Sequence, residues 1–267
     1  ISFYVFEALS FSIDVYRRRV QRPVRWSDYL VFLAMFPRFI AGPIVRYTVM
    51  AAQFGSWTGQ RLVRGLSVFA LGFAIKSLFA DQFAVFVPYA FEVERPDMAQ
   101  SWIGATAYTF QLYFDFWGYS LMATGLGLCI GFAFPDNFLS PYRSISITQF
   151  WQRWHVTLSH WLRDYLYISL GGNRGSTFQT YRNLFLTLLL GGLGHGANFT
   201  FVAWGAYHGI LLVIERLVGE TRLSRIPSLA RKLATFLLVM LGWVFFRSES
   251  FDQASPVFAW MFRAHGL

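Results

Sequence analysis

Apolar stretches of roughly membrane-spanning length alternate along the chain with clusters of arginine, and this alternation predicts the elements. Ile1 to Tyr16 is mostly apolar and is followed by Arg17, Arg18, Arg19, Arg22 and Arg25, the pattern of a spanning helix with a cytoplasmic basic flank. Tyr29 to Val49 is apolar too, but Pro37, Arg38, Gly42, Pro43 and Arg46 interrupt it. Proline removes a backbone donor, so a re-entrant or interfacial segment is expected there rather than a straight helix. Leu62 to Phe91 reads as a spanning helix with a basic start (Arg61, Arg64) and an acidic far flank (Glu92, Glu94, Asp97). That asymmetry puts its start in the cytoplasm and the loop outside. Ser101 to Phe134 returns, with Asp115 as its only charge. Pro141 to Arg182 is polar, aromatic and dotted with Arg143, Arg153, Arg163, Arg174 and Arg182, and is expected at the cytoplasmic face. Leu233 to Phe246 is a last, short apolar helix.

Asn183 to Ile214 contains no Asp, Glu, Lys or Arg. As one helix it would be about 48 Å long, more than the roughly 30 Å of a hydrocarbon core, yet two full crossings need about 40 residues. Its middle reads Gly191-Gly192-Leu193-Gly194-His195-Gly196, and both flanks are basic: Arg182 before, then Arg216, Arg222, Arg225, Arg231 and Lys232. With both flanks cytoplasmic the segment goes in and comes back. The glycines weaken the helix by about 1 kcal/mol each relative to alanine. The break then falls within the membrane, at or near His195, where it must line a cavity enclosed by protein or filled with water.

Composition narrows the class. Of 267 residues 55% are hydrophobic, 20% aromatic and only 14% charged, and the mean hydropathy is +0.41. Disorder needs the opposite balance, and a soluble domain could not hide this much apolar surface. An all-α, polytopic transmembrane helical protein remains, with re-entrant or broken helices and cytoplasmic amphipathic helices, multi-pass in a lipid bilayer. The +9 net charge fits retained cytoplasmic loops rather than nucleic acid. The lone Cys129 excludes a disulfide framework and a multi-thiolate zinc site. The chain opens inside an apolar run and stops at Leu267 without an evident end, so residues 1–267 read as one membrane domain, an internal fragment of a longer chain.

Few residues can carry chemistry. His195 is an ionisable group in a charge-free, glycine-broken segment, where such groups are costly and serve function by default. An imidazole both takes and gives protons near neutral pH, and the neighbouring glycines could offer backbone N–H groups to an oxyanion. His208 would be about 20 Å away on one continuous helix but nearer across a break; a hydrogen-bonded structural histidine is the favoured reading. Trp151 to Tyr165 shows helical period, with Trp151, Trp154, His155, Leu158, Trp161, Leu162 and Tyr165 on one face and Arg153, Thr157, His160 and Asp164 away from it. His155 sits mid-face, where a polar group needs a partner. His160 reads as surface and His265 is uninformative. Asp115 either orients a histidine or, more simply, pairs with an arginine. His155, His195 and His208 could in principle hold a metal, but no H-x-x-x-H or acidic cluster supports one, and a haem between two histidines is a further alternative. No phosphate-binding glycine loop, serine elbow or Walker pattern appears.

Several strings together resemble the membrane-bound O-acyltransferase superfamily, most closely its alginate O-acetyltransferase branch. They are the run from Phe36 to Tyr47 (FPRFIAGPIVRY), Phe114 to Ser120 (FDFWGYS), Phe134 to Phe138 (FPDNF), Phe150 to Ser159 with Trp161 to Tyr165, and Gly191 to Gly196 followed by Trp204 to Gly209. The resemblance covers nearly the whole chain, in order. It implies an acyltransferase of the bacterial inner membrane that moves an acetyl or other acyl group across the bilayer. The donor is a cytoplasmic acyl thioester such as acetyl-CoA, with no bound cofactor. The acceptor is a hydroxyl of an extracytoplasmic polysaccharide or of a relay protein. It further implies that His195 is the essential histidine and His155 the second. Asp115, Trp151, Trp154, Gly194, Gly196, Asn198 and His208 are then substrate-channel candidates. One departure stands at Gly194, where relatives usually carry Trp. The rival reading is a transporter or lipid-flipping channel with a midplane site at the broken helix.

Overall fold

The computed structural model describes residues 2–20, 23–39, 42–55 and 58–263. Ile1, Arg22, Ile40, Ala41, His265 and Leu267, which entered the sequence reading, lie outside the described residues. Among the described residues the regular structure is helical, without strands. Among the described residues three helices are, by length and composition, long and apolar enough to cross a membrane: Gly59–Phe91, Phe199–Val218 and Ser228–Arg247.

The first helix, α1 (Ser2–Tyr16), is followed by α2 (Trp26–Leu33), a 3-10 turn at Phe36–Arg38, and α3 (Tyr47–Ala51). The interruption between α2 and α3 falls where the prolines predict it, since neither can continue an α-helical ladder. Next come α4 (Gly59–Ile75), a π turn at Lys76–Ala80, α5 (Asp81–Ala84) and α6 (Pro88–Phe91). Then α7 (Met98–Cys129) runs for 32 residues. It starts at a capping box in which Asp97 accepts from the Gln100 N–H at 2.7 Å and the Gln100 side chain accepts from the Asp97 N–H at 3.0 Å. Helices α4 and α7 meet along glycines: a Cβ on Gly72 would lie 2.6 Å from the Gly118 carbonyl oxygen. Small residues let two backbones approach where lipid gives no hydrophobic drive.

The stretch expected to be one aromatic helix is not one. It divides into α8 (Ile147–Trp151), α9 (Val156–Trp161) and a π turn at Leu162–Tyr167. His155 lies between α8 and α9 with φ +42 and ψ +55, left-handed backbone that breaks a right-handed helix. The break also overturns the expected facing of Thr157. It is 6% exposed; its hydroxyl donates to Asn137 Oδ1 at 2.9 Å and accepts from the Ile44 N–H at 2.9 Å.

The charge-free segment forms a hairpin of α10 (Thr177–Leu193) and α11 (Phe199–Val218), with the break at residues 194–198 as the glycines require. A Cβ on Gly192 would meet the Phe201 carbonyl oxygen at 2.3 Å, so only glycine allows this approach. Short α12 (Glu220–Leu223) leads to α13 (Ser228–Arg247), longer than the expected Leu233–Phe246, and to α14 (Phe251–Phe262). Where α7, α8, α11 and α13 converge the core is aromatic: Phe150, Trp154, Trp204 and Trp243 are at most 4% exposed.

Candidate active site

The end of α10 unwinds through consecutive glycines and presents His195 at the tip of the hairpin. The backbone N–H groups of Gly194, His195 and Gly196 donate to the carbonyls of Leu190 (3.0 Å), Gly192 (3.0 Å) and Leu193 (3.3 Å). This corrects the expectation that those amides are available to an oxyanion: closing the turn consumes them.

The imidazole of His195 is fixed from below. Its Nδ1 lies 2.8 Å from the Gly191 carbonyl oxygen. A carbonyl only accepts, so in the neutral ring Nδ1 carries the hydrogen and Nε2 keeps its lone pair. The ring packs edge-on against Trp204 (centroids 5.1 Å apart) and Phe246 (5.4 Å). His195 is an exposed residue of the described structure, its ring backed by Trp204 and Phe246 and open on the side away from them.

His155 is 3% exposed and meets Phe116 edge to face at 4.8 Å. Its Nδ1 accepts from the Leu158 N–H at 3.4 Å and caps α9. The sequence places the two histidines forty positions apart; Trp154, next to His155 in the chain, and Trp204, against His195, both pack on Trp243 at 4.8 and 5.6 Å, so a row of rings links the two elements.

His208 is fully buried, and among the described residues neither ring nitrogen has a hydrogen-bond partner. This corrects its reading as a hydrogen-bonded structural histidine. It lies 5.4 Å from Trp204 and 5.2 Å from Trp151, centroid to centroid. Trp204 thus touches both His195 and His208, and its indole N–H, like that of Trp151, is buried without a partner.

Trp151 leads outward. It lines a cleft of about 780 Å³ between α8, the π turn, α10 and the end of α11. Buried Leu162, Leu188 and Leu212 form the inner wall, and exposed His160, Arg163 and Arg216 stand at the mouth. An apolar cleft with a polar mouth, ending against an indole one ring removed from the histidine site, suits a ligand with an apolar arm and a charged head.

The remaining channel candidates divide. Asp115 is elsewhere: it accepts from Lys76 Nζ at 2.7 Å, so its partner is a lysine across the α4–α7 seam rather than a histidine or arginine. Trp154 is core, packed on Phe150 and Trp243. Gly194 and Gly196 shape the tip; a Cβ on Gly196 would meet the Phe201 ring at 2.9 Å. Asn198 caps α11, accepting from the Thr200 N–H at 3.1 Å and donating to the Glu249 carbonyl at 2.7 Å. Among the described residues no group of three His, Cys, Asp or Glu is disposed to hold a metal ion. Sequence reasoning missed Phe246 and the Gly191 carbonyl. The four-residue spacing from Gly191 to His195 was the available signal, because a residue at the end of a helix can bond back one turn.

Residues 6–247 match the family model of the membrane-bound O-acyltransferases. The chain is 52% identical over 264 residues to the probable alginate O-acetylase AlgI of Pseudomonas aeruginosa, covering 98% of this chain and 51% of that protein. It is 41% identical over 249 residues to the peptidoglycan O-acetyltransferase of Helicobacter pylori, covering 90% of this chain and 47% of that protein. With the teichoic acid D-alanyltransferase of Bacillus subtilis it shares 25% identity over 277 residues, covering 95% of this chain and 69% of that protein. The chain spans about half the length of the alginate O-acetylases it matches.

Proposed function

Because the chain belongs to the membrane-bound O-acyltransferase family, we propose that it is the histidine-bearing membrane domain of an O-acetyltransferase of the bacterial inner membrane. The donor is a thioester such as acetyl-CoA presented from the cytoplasm. The acceptor is a hydroxyl outside, of an alginate-like polysaccharide or of a protein that relays the acetyl group to it. The orientation of the helices follows the arginine-rich flanks: the hairpin α10–α11 enters and returns as a re-entrant element, and the short helices α8 and α9 lie toward the cytoplasmic side. A transport function draws no support from this kinship.

The observation that carries the reading is the tautomer of His195. With Nδ1 bonded to the Gly191 carbonyl, Nε2 is the basic nitrogen and faces outward from the turn. In the transfer step Nε2 takes the proton of the acceptor hydroxyl while its oxygen attacks the thioester carbonyl. The carbon–sulfur bond then breaks, and the thiolate leaves and is protonated from the imidazolium. Such general base work typically contributes 10²–10⁴-fold. His155, whose Nδ1 accepts from Leu158, carries its proton on Nε2. It supports the transfer by holding its wall of the site in place, through its cap on α9 and its contact with Phe116. The apolar cleft ending at Trp151 is the route by which the thioester arm approaches.

The test is transfer of labelled acetyl from a thioester to acceptor polymer in membranes containing the full-length protein. His195→Ala should lower transfer by about 10²–10⁴-fold while the protein remains inserted. Transfer at the unsubstituted rate would refute the assignment.

A further inference from the structure

A second cleft opens on the side of α8 away from Trp151. Its volume is about 670 Å³, and Arg143, Arg153, Lys232, Ser140 and Ser228 line it together with Leu139 and Gln149. No carboxylate lines it. Among the described residues Arg143, Arg153 and Lys232 have no acidic partner within 4.0 Å, whereas Arg231, adjacent to Lys232, is held by Glu220 at 3.0 and 3.2 Å. The fold neutralises one cation of this cluster and leaves three facing one concavity.

Two further features bear on what fills it. Ser228 opens α13, a 20-residue helix preceded by Pro227 and without a side-chain cap, so its first N–H groups add a partial positive charge. Beside the cations Leu139, Leu229 and Leu233 are 49%, 67% and 56% exposed. Cations at a polar cleft with bare leucines alongside match a ligand that is anionic at one end and apolar at the other. Like-charged side chains repel one another, so an anion that enters between them relieves that repulsion and is attracted by all three.

We propose that this cleft binds a phosphate group, that of an anionic phospholipid whose acyl chains lie along the exposed leucines of α13. The cations and helix N-terminus hold the phosphodiester as charge-assisted hydrogen bonds, and the site fixes the rim of α13 to the bilayer surface. This assignment stands apart from acetyl transfer, and the His195→Ala protein is expected to bind the lipid normally.

The test is native mass spectrometry of the full-length protein in detergent, titrated with phosphatidylglycerol, with phosphatidylcholine of the same chains, and with glycerol 3-phosphate as a soluble phosphate. The unsubstituted protein should retain phosphatidylglycerol over phosphatidylcholine. The triple variant Arg143→Gln, Arg153→Gln, Lys232→Gln should bind phosphatidylglycerol about tenfold or more weakly, as expected for the loss of three cations at an anionic headgroup. An Arg174→Gln control should bind normally. Loss of glycerol 3-phosphate binding instead, with phosphatidylglycerol binding unchanged, would overturn the lipid assignment and give the site to a soluble phosphate. Equal binding of both probes by wild type and triple variant, or an equal loss in the control, would overturn the site.

Discussion

Residues singled out by the sequence divide according to whether their neighbours could be foreseen. His195 stood out because it is an ionisable group in a charge-free run, and the glycines around it told where the chain would turn. Its tautomer was not legible, because that depends on which carbonyl faces Nδ1. Thr157 was assigned to the outer face by a helical period that the chain does not keep there. The left-handed His155 explains the failure: a φ of +42 at a non-glycine residue costs on the order of 1–3 kcal/mol and persists only where the surroundings demand it. Replacing His155 with Asn, which tolerates this backbone and can still accept a hydrogen bond, should leave thermal stability within about 1 kcal/mol. His155→Val should cost about 1–3 kcal/mol more, because a β-branched side chain is strained there. Equal unfolding midpoints in detergent for the two variants would show that the turn is not what the residue supports. His208 offers a second case. A Cβ on Gly242 would lie 2.6 Å from its Nε2, so Gly242→Ala should destabilise by about 1–3 kcal/mol. In a His208→Ala background that cost should shrink by about 0.5–3 kcal/mol, the usual range for side chains in contact. Strictly additive costs in the double-mutant cycle would place the clash elsewhere.

Among the elements, long apolar runs bounded by arginine were legible because length and charge alone decide them. The hairpin α10–α11 was legible as a break, though not as a close-packed pair. What makes it one is Gly192, where a methyl group would collide with the backbone oxygen of Phe201 at 2.3 Å. Backbone cannot step aside as a side chain can, so Gly192→Ala must part the helices. It should cost about 1–3 kcal/mol and displace His195 from Trp204, which lies on the opposite helix. Gly194→Ala is the milder comparison: its Cβ would meet the Phe6 ring tip at 3.2 Å, which can shift, and the Gly191 carbonyl oxygen at 3.3 Å, a tight contact well short of the 2.3 Å collision at Gly192. Acetyl transfer should fall sharply in the Gly192 variant and much less in the Gly194 variant. A reversal of that order would mean that helix separation does not set the histidine's position. The two π turns escaped the sequence reading because a single inserted residue leaves the hydrophobic period nearly unchanged. One of them, Leu162–Tyr167, forms a wall of the apolar cleft through Leu162, Arg163 and Tyr167.

For the molecule as a whole, the sequence showed a membrane protein but no sign of how its N-terminal segment α1–α3 is fastened to the site. The fastening is a seam of side chains between α1–α3 and the α9–π turn segment. Trp161 Nε1 donates to the Phe6 carbonyl at 2.9 Å, the Tyr165 hydroxyl to Asp14 at 2.6 Å, and Arg17 Nη1 to the Asp164 carbonyl at 3.1 Å. Arg46 closes an ion pair with Asp164, which Arg163 also contacts at 2.7 Å. Contacts between residues more than a hundred positions apart leave no periodic trace, so none of this could be read beforehand. The seam does have a chemical signature. Burial would raise the Asp164 carboxyl, but hydrogen bonds and charge from Arg163 and Arg46 outweigh it and hold the group below its ordinary value. A carboxyl depressed on folding stabilises the fold above its unfolded pKa, near 3.9, and loses that contribution as pH falls through the lower folded value. The seam should therefore hold unchanged from neutral pH down to about 4 and weaken below it. Asp164→Asn should lower stability at neutral pH by an amount that shrinks on acidification, because the wild type then gives up what the variant already lacks. Unfolding midpoints of both proteins between neutral and acid pH would decide it. A constant gap would mean that the carboxyl's charge does not act at this joint, and that the neutral hydrogen bonds of Trp161 and Thr157 hold the N-terminal segment in place.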